Sequence, residues 1–369
     1  MSTWTGRRSK NLTKERTHTR SHWDGSVDRR VAGLELRLCP TGSGLRSQRR
    51  LPWLVGAKDT DMATGVTPLT VVPPQKRYAA SIHPGKDHVL PDGFVQGIQK
   101  LETALGMPVW FMIHSGGTGE FDDLETPTRK CLCSHKNGIA AGQPIALVVD
   151  SSGGSVKCAY QIARYLRRTC GGFTAVVPEW AKSAATLLVL GADRIILGKN
   201  AELGPLDVQI IDPDREQRIS ALDEVQALDR LNSFALQAID AQMLLLVRRS
   251  GKTMNVLLPG AQHFVAEMLQ PLFEKIDTVH YTYMSRLLKV AEEYAVRLLS
   301  PKYSTEKAQA IARNLVHQYP EHGFFIDSDE ASKIGLETVE AQGEMDSAIE
   351  MMLEYIQDVT YIGRLEEIT

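Results

Sequence analysis

Between residues 144 and 198 the chain alternates without pause between short apolar runs and helical patterns. "PIALVVDSSGG" reads as a buried strand closed by glycines. "SVKCAYQIARYLRRTCGG" is an amphipathic helix with Val156, Tyr160, Ala163 and Leu166 recurring on one face. "FTAVVPEW" is a second strand, "SAATLLVLGA" a buried helix and "RIILG" a further short strand. Apolar runs this short, bounded by glycine, are the length of strands buried on both faces. Such strands separated by helices require crossovers, and crossovers build a parallel sheet. The fold class is therefore α/β, built on βαβ units.

Flanking segments extend the pattern. "PDGFVQGIQKLETALG" is a helix ended by glycine, and "MPVWFMIHSGG" is another buried strand. "TRKCLCSHKNGIAAGQ" reads as a polar connection. From about residue 220 the character changes. "ALDEVQALDRLNSFALQAIDAQMLLLVRRSG" is one long helical pattern, and residues 261–299 hold one or two more helices. "TEKAQAIARNLVHQY" is another helix, and "PEHGFFIDSDEASKIGL" is a loop, a short strand and a last turn of helix. The expected division is a domain over 76–345 with a helical insertion at about 221–299, and a C-terminal helical tail over 346–369. Residues 1–75 are basic and polar with no usable period, and are expected to be a disordered tail or a start assigned too early, with Met62 as the alternative start.

Composition narrows the function classes. Net charge is −2, so the chain as a whole is no polyanion binder; the basic N-terminal region marks no clear nucleic acid partner. Five cysteines make no disulfide framework, and the odd count points to reduced thiols and a cytoplasmic setting, alone or at a membrane through partners. No apolar run approaches the roughly 18–20 residues that cross a bilayer. Neither a G-x-G-x-x-G nor a P-loop spacing is present, so no nucleotide cofactor is expected. Cys131, Cys133 and His135 in "CLCSH" lack the fourth ligand and the spacing of a structural zinc site, and no metal is expected. Cys158 and Cys170 read as packing thiols.

Two strand-to-helix junctions carry the candidate chemistry. In "VVDSSGGSV", Gly153 and Gly154 permit close backbone approach, and amides at such a turn point outward toward an anion or an oxyanion. Ser183, in "PEWAKSAATLL", stands at the next junction. In a parallel sheet both junctions lie at the carboxyl end, where sites form. Ser183 is either a helix cap or a nucleophile. In the second case the Ala184 amide joins those of Gly153 and Gly154 as an oxyanion hole.

"DSSGGSVKCAYQIARYLR", "VVPEWAKSAATLLVLGADRIILGKNAELGPLDVQI" and "GFFIDSDEASKIGL", in that order, resemble the ClpP/crotonase superfamily. The closer likeness is to the branch of signal peptide peptidase A and the serine dehydrogenase proteinases, over about residues 90–340. The resemblance implies a spiral of ββα units with added C-terminal helices and a serine peptidase acting on peptide or protein substrates through an acyl-enzyme. It implies Ser183 as nucleophile, an oxyanion hole from Gly153 or Gly154 with Ala184, and a homo-oligomer built through the long helices.

The base stays open. The ClpP histidine position falls near Leu206 and Asp207, where no histidine stands. His322, in "YPEHGF", is one candidate, with Asp207 to orient it. A lysine is the other; Lys252, in "SGKTMN", has the chain order of a serine–lysine dyad, whereas Lys182 sits beside Ser183 but diverges from it. Without a base the chain is a silent binding or assembly protein of the same fold. A crotonase-like acyl-CoA enzyme is a further alternative.

Overall fold

The computed structural model describes residues 76–83, 89–116, 119–134, 138–212 and 217–368. The expectation for residues 1–75, and His135, lie outside the described residues. The first half runs β1 (Arg77–Ala80), α1 (Asp92–Leu105), β2 (Val109–His114), α2 (Thr126–Leu132), β3 (Ile145–Ser151), α3 (Val156–Cys170) and β4 (Phe173–Val177). It continues with β5 (Trp180–Ala181), α4 (Ala184–Leu190), β6 (Arg194–Leu197), β7 (Glu202–Leu203) and a hairpin of β8 (Gln209–Asp212) and β9 (Gln217–Ser220). Three long helices follow: α5 (Ala221–Ser250), α6 (Met254–Phe273) and α7 (Thr278–Leu299). The chain closes with α8 (Thr305–His317), α9 (Ser328–Lys333), β10 (Val339–Glu340), α10 (Glu344–Leu353), β11 (Thr360–Gly363) and β12 (Leu365–Ile368).

The main sheet has the order β10-β6-β4-β3-β2-β11. Every pairing along it is parallel except that of β11 with β2. Because side chains alternate across a strand, each buried strand feeds two cores. Trp110 and Met112 of β2 join Leu147 and Val149 of β3 under α3, α4, α7 and α8. Phe111 and Ile113 join Val148 on the opposite face, under α1 and α10.

The sheet forks at the end of β3. Residues Ile145 to Val148 pair with β4, but Ser151 pairs with Ala181 of β5, and β5 in turn pairs with β7. This departure curls the sheet and opens its carboxyl end. The result is a curled, mostly parallel sheet flanked by helices, with added C-terminal helices: the ClpP/crotonase-like architecture that the motifs imply.

Two local expectations are corrected. Residues 346–369 are not a helical tail: after α10 the chain returns as β11, antiparallel to β2, and β12, paired with β1. Four-residue strands joined at Gly363 are too short to show a period beside the stronger helical pattern before them. The polar connection after β2 contains α2, started by a proline in its first turn, where the missing N–H costs nothing. Among the described residues, regular structure begins with β1 (Arg77–Ala80).

Candidate active site

The cleft at the carboxyl end of the sheet is built by two turns that touch. Gly153 and Gly154 take φ of 113° and 136°. A Cβ on Gly153 would lie 2.8 Å from the Lys182 carbonyl oxygen and 3.0 Å from the Ser183 Cβ, so only glycine fits. That close approach brings the β3–α3 turn against the start of α4. Leu124 clamps the same turn from the other side: its N–H donates to the Gly153 carbonyl, and its carbonyl accepts from Ser155 N–H.

Ser183 has φ 51° and ψ −120°, one of two described non-glycine residues with positive φ. Such a conformation costs on the order of 1–3 kcal/mol and persists only where the surroundings impose it. Ser183 occupies the N-cap position of α4 without capping it: its hydroxyl makes no hydrogen bond to the helix. The helix start is instead tied by Lys182, whose carbonyl accepts from Ala185 N–H, and by Thr186, whose hydroxyl donates to the Ala181 carbonyl. The cap alternative for Ser183 therefore fails on geometry. Among the described residues, no acceptor meets the amides of Gly154 and Ala184, whereas Gly153 N–H donates to Ser151 Oγ at 3.1 Å.

Ser183 lines a cleft of about 240 Å³ together with His322, Gly154, Ser152, Glu125 and Arg218. His322 Nδ1 lies 2.7 Å from Asp207 Oδ1. Asp207 is 4% exposed, and its second oxygen accepts from Ser220 Oγ at 2.8 Å. Both oxygens of the buried carboxylate are thus satisfied, which fixes the imidazole and leaves its Nε2 edge for the cleft. Ser183 and His322 share the cleft without a hydrogen bond between them, and such bonds commonly tighten only with substrate in place.

The lysines behave differently. Lys182 turns away from its neighbour: its Nζ is 2.7 Å from Glu202 Oε2 and donates to the carbonyls of Leu203 and Phe324. It ties β5 to β7 and to the loop carrying His322. Lys252 is exposed in the break between α5 and α6 and does not line the cleft. Cys131 and Cys133 lie on and just after α2, half-buried, and burial pushes the Cys133 thiol up to about 11.

Two contributors escaped the sequence reading. Arg218 reaches the cleft from β9, which lies between "LDVQI" and "ALDEVQ", where the sequence shows no pattern long enough to assign an element. Asp150 is buried and accepts from both the backbone N–H and the indole Nε1 of Trp180, the latter at 2.7 Å. It thereby fastens β5, which leads into Ser183, to the end of β3. Burial pushes its carboxyl up to about 7. The aspartate preceding "SSGG" was its available signal. Trp180 and Glu179 line a larger cleft beside that of Ser183.

The site thus brings together a fork in a curled parallel sheet, a glycine turn against a strained serine and a histidine–aspartate pair. Residues 103–276 match the family model described as ClpP-like SDH-type serine proteinase. Two uncharacterized proteins of Methanocaldococcus jannaschii are similar to the chain. One is 28% identical over 232 residues, covering 63% of this chain and 62% of that protein. The other is 25% identical over 239 residues, covering 65% and 63%. The chain thus spans less than two thirds of the length of either relative. No described helix is long and apolar enough to cross a membrane.

Proposed function

We propose that the chain is a serine hydrolase that cleaves peptide bonds through an acyl-enzyme on Ser183. The observation that carries this is Ser183 itself: strained, not used as a cap, and in one cleft with the hydrogen-bonded pair of His322 and Asp207. His322 Nε2 takes the Ser183 proton as the hydroxyl attacks the scissile carbonyl, then returns it to the leaving amine. Asp207 holds the imidazole in the tautomer that leaves Nε2 free, and stabilises the imidazolium that forms. The amides of Gly154 and Ala184 receive the developing oxyanion, each worth on the order of 3 kcal/mol in the transition state. Gly153 acts through its shape, since its own N–H is held by Ser151 Oγ. Water then repeats the attack, with His322 as base, and releases the acid. The family match, to serine-peptidase-like hydrolases, supports this reading.

The same reading takes the chain as a cytoplasmic homo-oligomer. Support comes from the odd cysteine count and from large apolar residues exposed on α5 and α6, among them Phe234, Leu244 and Phe264. The test of the chemistry is labelling by a fluorophosphonate probe. The wild type is expected to take up one probe per chain, and Ser183→Ala none. Absence of labelling between pH 6 and 9 removes the hydrolase reading.

A further inference from the structure

The larger cleft, about 510 Å³, adjoins the Ser183 cleft, and Asp123 and Ser152 line both. Six carboxylates face it, Asp122, Asp123, Asp150, Glu179, Glu202 and Asp358, and among the described residues no lysine or arginine lines it. Two of the six are compensated. Glu202 is ion-paired to Lys182, and Asp150 is bonded to Trp180 and raised to about 7 by burial. The other four have no ion-pair partner among the described residues. Asp122 stays ionised: burial acts to raise its carboxyl, but the Thr360 hydroxyl and the Gly119 amide outweigh that and hold it below the usual range. Four carboxylates without an ion pair, one of them hydrogen-bonded, converge on one concave surface and repel each other, and a cation placed among them relieves that repulsion.

A second observation comes from His114, which lines the same cleft while being 2% exposed. Its Nδ1 is 2.9 Å from Ser151 Oγ, whereas its Nε2 is buried without any hydrogen-bond partner. A buried polar atom left unpaired costs about 1–3 kcal/mol, so a donor brought to it would be favoured. With Nδ1–H donating to Ser151, Nε2 is an acceptor for an incoming N–H. Burial also lowers the His114 pKa to about 4, so the ring is neutral at pH 7 and does not repel a cation.

The geometry points to this cleft as a specificity subsite that receives the arginine or lysine side chain of a polypeptide bound across Ser183. As a statement about substrate it rests on the hydrolase reading; as a statement about binding it stands alone. A guanidinium carries five donors, enough to meet several carboxylates at once. The strip of Ser152 and Asp123 shared by the two clefts is where the peptide backbone would cross. The hydrogen-bonded chain from His114 through Ser151 to Gly153 N–H ties the subsite to the oxyanion turn.

The test measures binding and cleavage separately. Fluorescein-labelled pentapeptides with alanine flanks and a central arginine, lysine, citrulline or norleucine are titrated against the full chain carrying Ser183→Ala. Arginine is expected to bind at least about tenfold tighter than citrulline, one charge-assisted contact's worth. That preference is expected to vanish when Glu179→Gln and Asp358→Asn are added. Both residues are exposed and unpaired, and asparagine tolerates the positive φ of 55° at position 358. Equal binding of arginine and citrulline, no binding of any peptide up to millimolar concentration, or a preference that survives the double variant overturns the subsite. So does one-to-one uptake of magnesium, lost in the double variant, that abolishes the arginine preference. If the preference holds while the wild type cleaves none of the peptides, the subsite stands and the hydrolase reading falls. If the wild type cleaves arginine and citrulline peptides alike and Ser183→Ala binds them alike, the outcome is reversed.

Discussion

The strand-to-helix turns around Ser183 and the two-helix arm α5–α6 break ordinary rules in opposite ways. At the turns, local geometry is irregular and packing is complete: Ser183 and two glycines have positive φ, yet Ala184, Ala181 and Gly153 are buried. In the arm, packing is incomplete although α5 is regular and capped at both ends. Helix α5 is capped by Ser220 at its start and by Gly251 in the left-handed region at its end. Even so, Phe234 is 49% exposed and Leu244 63%. A sequence consistent at every level would show neither defect, and such departures concentrate where function resides. In the proposed reading the strain at the turns aims a hydroxyl, and the exposed apolar surface of α5 and α6 serves self-association. Ser220 joins the two, capping α5 and donating to Asp207.

The largest test of this contrast is Asp207→Asn. Loss of the oriented imidazole is expected to slow fluorophosphonate labelling by about 10²–10⁴-fold. A labelling rate within about threefold of wild type would separate His322 from the chemistry and reopen the question of the base. For the arm, Leu244→Glu with Phe264→Glu is expected to convert an oligomer into monomers on light scattering. Each chain should keep its stability to within about 0.5 kcal/mol per exposed site. If the wild type is already a monodisperse monomer at micromolar concentration, the exposed surface does not serve self-association.

Asp150 offers a pH test. Its folded pKa is raised, so between pH 3.8 and about 7 the folded state holds more protons than the unfolded state, and stability falls as pH rises through that window. His114 opposes it: its folded pKa is lowered to about 4, so stability falls as pH drops from 6.5 toward 4. Asp150→Asn removes one side of this balance and keeps an acceptor for the Trp180 indole. Denaturant titrations are expected to show the variant gaining on the wild type by on the order of 2 kcal/mol between pH 5 and pH 8. An unchanged difference between the two pH values would show that Asp150 titrates alike in both states.

Smallest is Ser183→Gly, which relieves the positive φ. It is expected to abolish labelling while stabilising the fold by about 1 kcal/mol, read as a rise in thermal midpoint. A lower midpoint would mean that the serine hydroxyl contributes to packing and that the turn is not strained on behalf of catalysis.

Much of this was legible before any coordinates. The buried strands β2, β3, β4 and β6 and the helices α1, α3, α4 and α8 are each a strong, bounded pattern, because burial on both faces demands an unbroken apolar run. The two junctions were legible because glycine pairs and a serine at a helix start have few other uses. The short pieces were not. β5 and β7 are two residues each, and β11 and β12 four, too short for any period to register. Arg218 and His114 carried no local signal, since neither belongs to a motif with the serine.

By itself, then, the sequence determined the parallel α/β frame, the turn made possible by Gly153 and Gly154, and the position of Ser183 at the start of a buried helix. These follow from local propensity and from the burial that each short apolar run requires. Only the tertiary structure decided that Ser183 does not cap its helix, that Lys182 points at Glu202, and that His322 meets Asp207 across 115 residues of chain. Those outcomes depend on which distant segments the curled sheet brings together. Contact between distant residues is set by packing, which no local pattern records.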